Sequence, residues 1–466
     1  MKKHLLSVII TGSAIFSIQN SFAQPTSNPR GCLAAEYKKW EEEMNPALKV
    51  QRTQMETVIR NYIQTQSLNP KPASQVVLTI PVVFHVIYKT STENLSDQII
   101  KDAVDRLNKD YRKLNTDLNA TTCPPQAWRN LAADCEIQFV LASEDPNGSP
   151  TTGIVHKPTS LDGFQAQVSP TAYDDRMKFN AQGGDDVWDN QQYINFWIVK
   201  FTDNTLGRGS FPGTAANIDG IVMSYKTLAG APGPGIDPRY NLSRTLTHEL
   251  GHYFGLAHTW GDDGNTDGSC NDGQYQCAGS DLVDDTPNQC DNHINKPTFP
   301  QMDACSNCTA TSCTVTITGT TYNGGAGDPA NGTMYMNYMD YTDDDHIVMF
   351  TLGQKTRMLA IIDQYRPYLK TISVTGTANT RALNQLVSVY PNPSTGDIFI
   401  SGSIPNATSA DIMVYNTIGG VVLTKKVALD GAENVKLDIN DQPEGMYFIQ
   451  LKTTEGTIVK KAVINR

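Results

Sequence analysis

The chain is 466 residues long, 39 % hydrophobic and 18 % charged, which supplies apolar material for packed cores and more chain than one domain of ~150 residues needs. Lys and Arg total 37 against 48 Asp and Glu, a formal net charge of −11 with no long basic run, so the electrostatic footprint of a nucleic-acid binder is missing.

Lys2 and Lys3 lead an apolar stretch from Leu5 to Ile18, followed by the small residues Ser21 and Ala23. That pattern predicts an export signal over residues 1–23; Ser and Gly interrupt the run, which is shorter than the ~20 residues a bilayer span requires. Export carries nine cysteines into an oxidising compartment. Cys123, Cys135, Cys270, Cys277, Cys290, Cys305, Cys308 and Cys313 could form four disulfides, with Cys32 left over. Cys305, Cys308 and Cys313 could alternatively hold a structural zinc.

From Ala34 to Gln66 the apolar residues Tyr37, Trp40, Met44, Met55, Val58, Ile59 and Tyr62 recur at helical intervals, broken at Pro46, which predicts a helical hairpin. After a Pro-containing linker, residues 78–88 (LTIPVVFHVIY) read as a buried strand. Residues 96–114 place Ile99, Ile100, Val104, Leu107 and Tyr111 on one face, with Ser96 or Asp97 as cap, an amphipathic helix. Strands are predicted at 137–141, 193–199 and 220–223, giving an α+β fold with helices packed on one twisted sheet. Residues 371–386 form a polar linker. From Val387 to Arg466 short alternating runs separated by Gly, Asn, Pro and Asp predict a small all-β sandwich; it contains no His or Cys, which argues against catalysis there.

The chemistry concentrates in HELGHYFGLAH, residues 248–258. His248 and His252 lie four apart, one turn apart on the same helix face, so both imidazoles can grip one ion. Glu249 sits beside that ion without ligating it, where its carboxylate can take a proton from water. Gly255 can end the helix in the left-handed conformation, letting His258 return as a third ligand. Three histidines with an open fourth position form a catalytic zinc arrangement. His4, His85, His156, His293 and His346 are read as non-ligands.

Residues 78–366 resemble the pappalysin family of metzincin zinc peptidases, through IPVVFHVIY (80–88), DAVDRLNKDYRKLN (102–115), DPNGSPTTGI (145–154), LGRGSFPG (206–213), DGIVMSY (219–225) and DLVDDTP (281–287). MNYMDYTDDD (336–345) is similar to the family's Met-turn, which implies Met339 as the hydrophobic base under the zinc and Tyr341 as the hydroxyl supporting the tetrahedral intermediate. The resemblance also implies structural calcium after the third zinc ligand, where Asp281, Asp284, Asp285 and Thr286 supply hard oxygens; a solvated acidic turn is the alternative. A family cysteine is replaced here by His346. RGCLAAEY resembles the start of a bacterial pappalysin pro-segment, although Leu33 stands where a Gly is usual. It implies a helical pro-segment over 24–77, with Cys32 as a fourth zinc ligand conferring latency. An acidic residue near the Met-turn, Asp344, with Asp343 and Asp345 as alternatives, implies preference for Arg or Lys after the scissile bond.

YPNPSTG (390–396), GMYFIQL (445–451) and IVKKAVINR (458–466) resemble the sorting domain of the type IX secretion pathway. The expectation is a metzincin-like zinc endopeptidase domain over 78–370 followed by a sorting sandwich over 387–466. The protein would pass through the periplasm, meet the type IX machinery, and act on protein or peptide substrates at the cell surface or outside. Arg381 is the only arginine of the 371–385 linker, so Thr380-Arg381 is an expected self-cleavage site. A secreted adhesion or binding protein with a structural metal site is the rival reading; such a site has no need of Glu249.

Overall fold

The computed structural model describes residues 31–68, 77–119, 125–169, 172–262, 280–307, 314–317, 320–323, 326–370 and 386–466, the last with breaks at 403, 405–406, 417–419, 430–434 and 454–455. The principal elements before the C-terminal module are α1 (Ala34–Met44), α2 (Pro46–Leu68), β1 (Leu78–Tyr88), α3 (Asp97–Tyr111), β2 (Ile137–Leu141), β3 (Ile154–Pro158), β4 (Ile194–Val199), β5 (Gly207–Gly209), β6 (Ile221–Ser224), α4 (Arg244–Tyr253) and α5 (Leu352–Tyr365).

One sheet organises this part of the chain in the order β2-β1-β4-β6-β5, with β3 continuing beside β1 beyond the end of β2. All pairings are parallel except β5 with β6, so β5 is an antiparallel edge strand. The side-chain period of two divides the sheet into two apolar faces. Ile80, Val82, Phe84, Val86, Phe196, Ile198, Ile221 and Met223 pack with α3 and α4, and Phe84 stacks on Phe196 at 4.7 Å. Ile87, Trp197, Val199 and Val222 face Phe164, Ala166 and Met177 on the opposite side.

The predicted strands and the long helix form within a residue or a few of the expected bounds. Ser96 caps α3 by accepting from Ile99 N, and Pro46 opens α2 where the hairpin was expected to break. The sequence reading missed β3, the three-residue β5 and α5. The last carried a legible signal, the Thr351/Gln354 capping box.

The cysteine expectation needs correction. Cys290 pairs with Cys305, which removes Cys305 from any zinc trio with Cys308 and Cys313. Cys135 is a free thiol buried in the core beside Ile137 and Phe139, so Cys32 is not the single leftover cysteine. Cys123, Cys270, Cys277, Cys308 and Cys313 lie outside the described residues, as do the export signal, Thr380 and Arg381.

The C-terminal module is all β. Val387–Tyr390, Asp397–Gly402 and Val435–Asp438 form one antiparallel sheet; Val421–Ala428, Ser409–Asn416, Gly445–Thr453 and Gly456–Ile464 form another. Alternate residues of both, including Ile398, Ile400, Ile412, Val414, Ile449 and Leu451, fill a shared core. Among the described residues no helix is long and apolar enough to cross a membrane.

Candidate active site

Every residue of α4 is buried, and its N-terminus is tied down from three directions. Ser243 precedes it in the left-handed region, φ 66°, with no side-chain cap bond. The capping role passes to Asp344, whose Oδ2 accepts from Leu242 N at 2.8 Å and Arg244 N at 3.3 Å. Arg244, 1 % exposed, ion-pairs with Asp110 at 3.0 Å and Asp117 at 2.7 Å, while Thr247 donates to Asp110 at 2.8 Å. The helix that carries the two spaced histidines is therefore anchored to α3, to Asp117 beyond it and to Asp344.

The helix ends where Gly255 adopts φ 80°, and the reversal brings His258 back against His248 and His252. The three Nε2 atoms lie 3.2–3.3 Å apart. Each opposite ring nitrogen is committed elsewhere: His248 Nδ1 donates to Tyr338 O at 2.7 Å, His252 Nδ1 to Leu256 O at 2.8 Å and His258 Nδ1 to Asp262 Oδ1 at 2.5 Å. Those bonds fix the tautomers so that three lone pairs converge. Nitrogens at this separation fit three corners of a tetrahedron whose centre lies about 2.0 Å from each, the zinc–nitrogen distance. Burial, with the neighbouring His258, lowers His252 to about 3, leaving it neutral as a ligand must be. Against burial, Asp262 instead raises His258, so a metal bound at its Nε2 would displace a proton.

Cys32 completes the set. It is 0 % exposed, its Sγ is 3.5 Å from His252 Nε2, and it forms with the three histidines the one convergent group of His, Cys, Asp or Glu donors among the described residues. An N₃S donor set of this geometry fits zinc. The backbone delivers the thiol by strand pairing along β5: Leu33 N donates to Gly207 O at 3.2 Å and Leu206 N to Gly31 O at 3.0 Å.

Glu249, also 0 % exposed, accepts at Oε2 from Gly209 N at 2.7 Å. A Cβ on Gly207 would stand 2.7 Å from Glu249 Cγ, and one on Gly209 2.2 Å from the Glu249 carbonyl oxygen. The two glycines of the LGRG segment thus let the edge strand lie against α4, a requirement invisible in sequence. Met339 is buried, with its Sδ where a Cβ of Gly251 would come within 2.4 Å. Tyr341, 3 % exposed, lies with its ring 5.8 Å from His248 and 5.0 Å from His258, and Trp260 stacks on His258 at 4.3 Å.

Other expected site residues fall elsewhere. Asp344 is 0 % exposed and engaged with the α4 backbone. Asp343 is buried as well, whereas Asp345 is half exposed beside Lys296 and His346. Asp281 and Thr286 are buried and hydrogen-bonded to each other at 2.7 Å; Asp285 caps α5 through Thr351 Oγ1 and Gly353 N, and Asp284 is exposed. Burial pushes the Asp281 carboxyl up to about 8. Asp262 and Gly209 are site residues the sequence reading did not single out; Asp262, four residues after the third histidine, offered only its spacing.

Residues 178–363 match the family model described as Pregnancy-associated plasma protein-A, and residues 388–465 match that of the secretion system C-terminal sorting domain. An extracellular metalloprotease of Pyricularia oryzae is 33 % identical over 302 residues, 63 % of this chain and 78 % of the relative. One from Sordaria macrospora is 34 % identical over 180 residues, 37 % of this chain, and in that match the chain spans about half of the relative, 49 %. Among solved structures, mature mirolysin of Tannerella forsythia in complex with a cleaved peptide is similar with TM-score 0.51 and 35 % identity, covering 64 % of this chain and 97 % of that one. A promirolysin mutant of the same organism gives TM-score 0.55 and 33 % identity, covering 73 % and 97 %.

Proposed function

Because the chain belongs to the pappalysin family of zinc metallopeptidases, we propose that it is a secreted endopeptidase, made latent, that hydrolyses peptide bonds before Arg or Lys. The observation that carries the reading is the convergence of three histidine Nε2 atoms and the Cys32 thiol, with Glu249 alongside. His248, His252 and His258 would hold zinc, which supplies Lewis acidity both to a water nucleophile and to the scissile carbonyl. Glu249, oriented by Gly209 N–H, takes the proton from the attacking water and hands it to the departing amine. The Tyr341 hydroxyl supports the charge that develops on the carbonyl oxygen. The edge of β5, engaged by Gly31 and Leu33 in the latent chain, is the strand on which a substrate would align.

Latency rests on Cys32, which fills the position the attacking water needs. Since Asp344 is spent on the α4 cap, Asp345 is the better candidate among the three acids for recognising a guanidinium or ammonium group. Calcium is a further proposal: Asp281 is a buried carboxylate without a counter-ion close enough to keep it low, a setting a hard cation would relieve. The C-terminal module is read as the address for type IX export, bringing the enzyme to the cell surface or medium.

One experiment tests the core. Glu249→Ala is expected to reduce peptide hydrolysis by at least ~10²-fold while zinc, measured by elemental analysis, stays at one per chain. The wild-type chain should also cut itself between Thr380 and Arg381, and the Glu249→Ala form should not. Retained hydrolysis in the variant, or equal loss of the C-terminal module in both forms, overturns the respective claim.

A further inference from the structure

On the face of β5 turned away from α4, Tyr37 of the pro-segment occupies a pocket the catalytic domain has built around a phenol. Tyr37 is 1 % exposed. Its ring lies under the Arg208 guanidinium at 4.0 Å and meets Tyr173 edge-on at 5.2 Å, and Lys178 Nζ lies 5.8 Å from the same ring. Its hydroxyl donates to Asp175 Oδ2 at 2.7 Å. The pocket is fixed from behind: Asp175 Oδ1 accepts from Arg208 at 2.5 Å and pairs with Lys178 at 3.1 Å, Arg208 also donates to the carbonyls of Ala166 and Asp174, and Lys178 to that of Ile218 at 2.6 Å.

We propose that this pocket, emptied when the pro-segment leaves, is a substrate subsite that recognises a tyrosine side chain. The proposal rests on the peptidase reading above and adds to it a second specificity determinant. Two features select tyrosine, and a third gives a substrate residue access. The guanidinium offers its face, which favours an aromatic ring. Asp175 Oδ2 presents an acceptor at the depth of a para-hydroxyl, which phenylalanine cannot use. Arg208 lies between Gly207 and Gly209, so its side chain is on the opposite face of the strand from Glu249. A peptide paired to the β5 edge sends alternate side chains to the two faces, as the pro-segment does in sending Cys32 towards the histidines and Leu33 into the Phe164, Met177 and Trp197 cluster. A substrate residue can therefore enter the Arg208 side while its neighbour addresses the catalytic face.

The test uses enzyme recovered from culture medium after maturation and a peptide series in which Tyr, Phe, Ala or Glu is moved through the positions flanking one Arg. Cleavage gives kcat/KM, and fluorescence anisotropy gives affinity independently of turnover. Tyr at one fixed position is expected to raise kcat/KM, and affinity, about tenfold over Ala, the scale of one cation–π contact with one hydrogen bond, with Phe intermediate. Asp175→Ala, which removes the acceptor, is expected to bring the Tyr to Phe ratio close to one. The pocket proposal is overturned if no position prefers Tyr in cleavage or binding, if Glu is preferred to Tyr there, or if Asp175→Ala leaves the Tyr to Phe ratio unchanged. If no peptide is cut yet the tyrosine preference persists in binding, the peptidase reading fails and the pocket stands.

Discussion

Glycine carries more of the active-site geometry than its lack of chemistry suggests. A methyl at position 209 would meet the Glu249 backbone carbonyl at 2.2 Å, and one at position 251 would meet the Met339 Sδ at 2.4 Å. The distances are similar, but the obstacles differ: a helical carbonyl is fixed, whereas a methionine thioether can rotate. Gly209→Ala is therefore expected to cost about 2–3 kcal/mol and most of the activity, since it also pushes away the N–H that orients Glu249. Gly251→Ala should cost about 1 kcal/mol. Urea denaturation with parallel peptidase assays checks the order, and equal losses would refute the explanation.

The element that matters most is α4, whose start is capped by a residue 100 positions away in sequence. Asp344→Ala leaves Leu242 N and Arg244 N without their acceptor in a buried place, an expected destabilisation of about 1–3 kcal/mol. The cleavage preference for Arg or Lys should persist among the molecules that remain folded. A variant of normal stability that no longer distinguishes Arg from Ala would instead make Asp344 the pocket acid. Nearby, His293 Nδ1 lies 3.0 Å from Asp340 Oδ2, and Asp340 directly precedes Tyr341. Against burial, Asp340 raises the His293 pKa above 6.5. A raised histidine stabilises fully below its unfolded value and loses that contribution as pH rises through the folded pKa. The segment around Asp340 should thus loosen on the alkaline side of 6.5, read as faster amide exchange at 340–341, and His293→Gln should flatten that dependence.

At the scale of the molecule, the segment of α1 and α2, proposed above to confer latency, is held by more than Cys32. Arg357 of α5 pairs with Glu56 of α2 at 2.8 and 2.5 Å while donating to the Gly255 carbonyl in the turn that ends α4, and Arg52 of α2 donates to Pro212 O and Thr214. Burial opposes the charge on Glu56, but Arg357 and Arg60 overcome it and hold its pKa below 4.5. A depressed carboxyl contributes above its unfolded value and loses that contribution as pH falls through the folded one. Docking of α2 is expected to weaken below pH 4.5, seen as proteolytic accessibility of residues 46–68, a readout independent of the metal site. Glu56→Gln should show the same accessibility at neutral pH. Cys32→Ala, by contrast, should raise activity of the intact chain with α2 still docked; a silent variant would mean that burial by the helices, and not the thiol, enforces latency.

The sequence by itself determined what local periodicity and spacing can encode. His248 and His252 share a face because a helix repeats every 3.6 residues, Gly255 permits the turn that returns His258, apolar, β-branched runs placed β1, β2, β4 and β6, and alternating runs placed the C-terminal sandwich. Only the tertiary structure decided the rest, because those contacts join residues far apart in the chain with no shared pattern between them. Gly209 against Glu249, Asp344 against Arg244 and Cys32 against His252 are separated by 40, 100 and 220 positions. In each case a backbone amide, a helix end or an imidazole nitrogen needed a partner, and which residue supplied it followed from how the sheet edge and the 336–345 segment close on α4. The burial that forces such polar groups to be satisfied is a property of the packed molecule and of no segment within it.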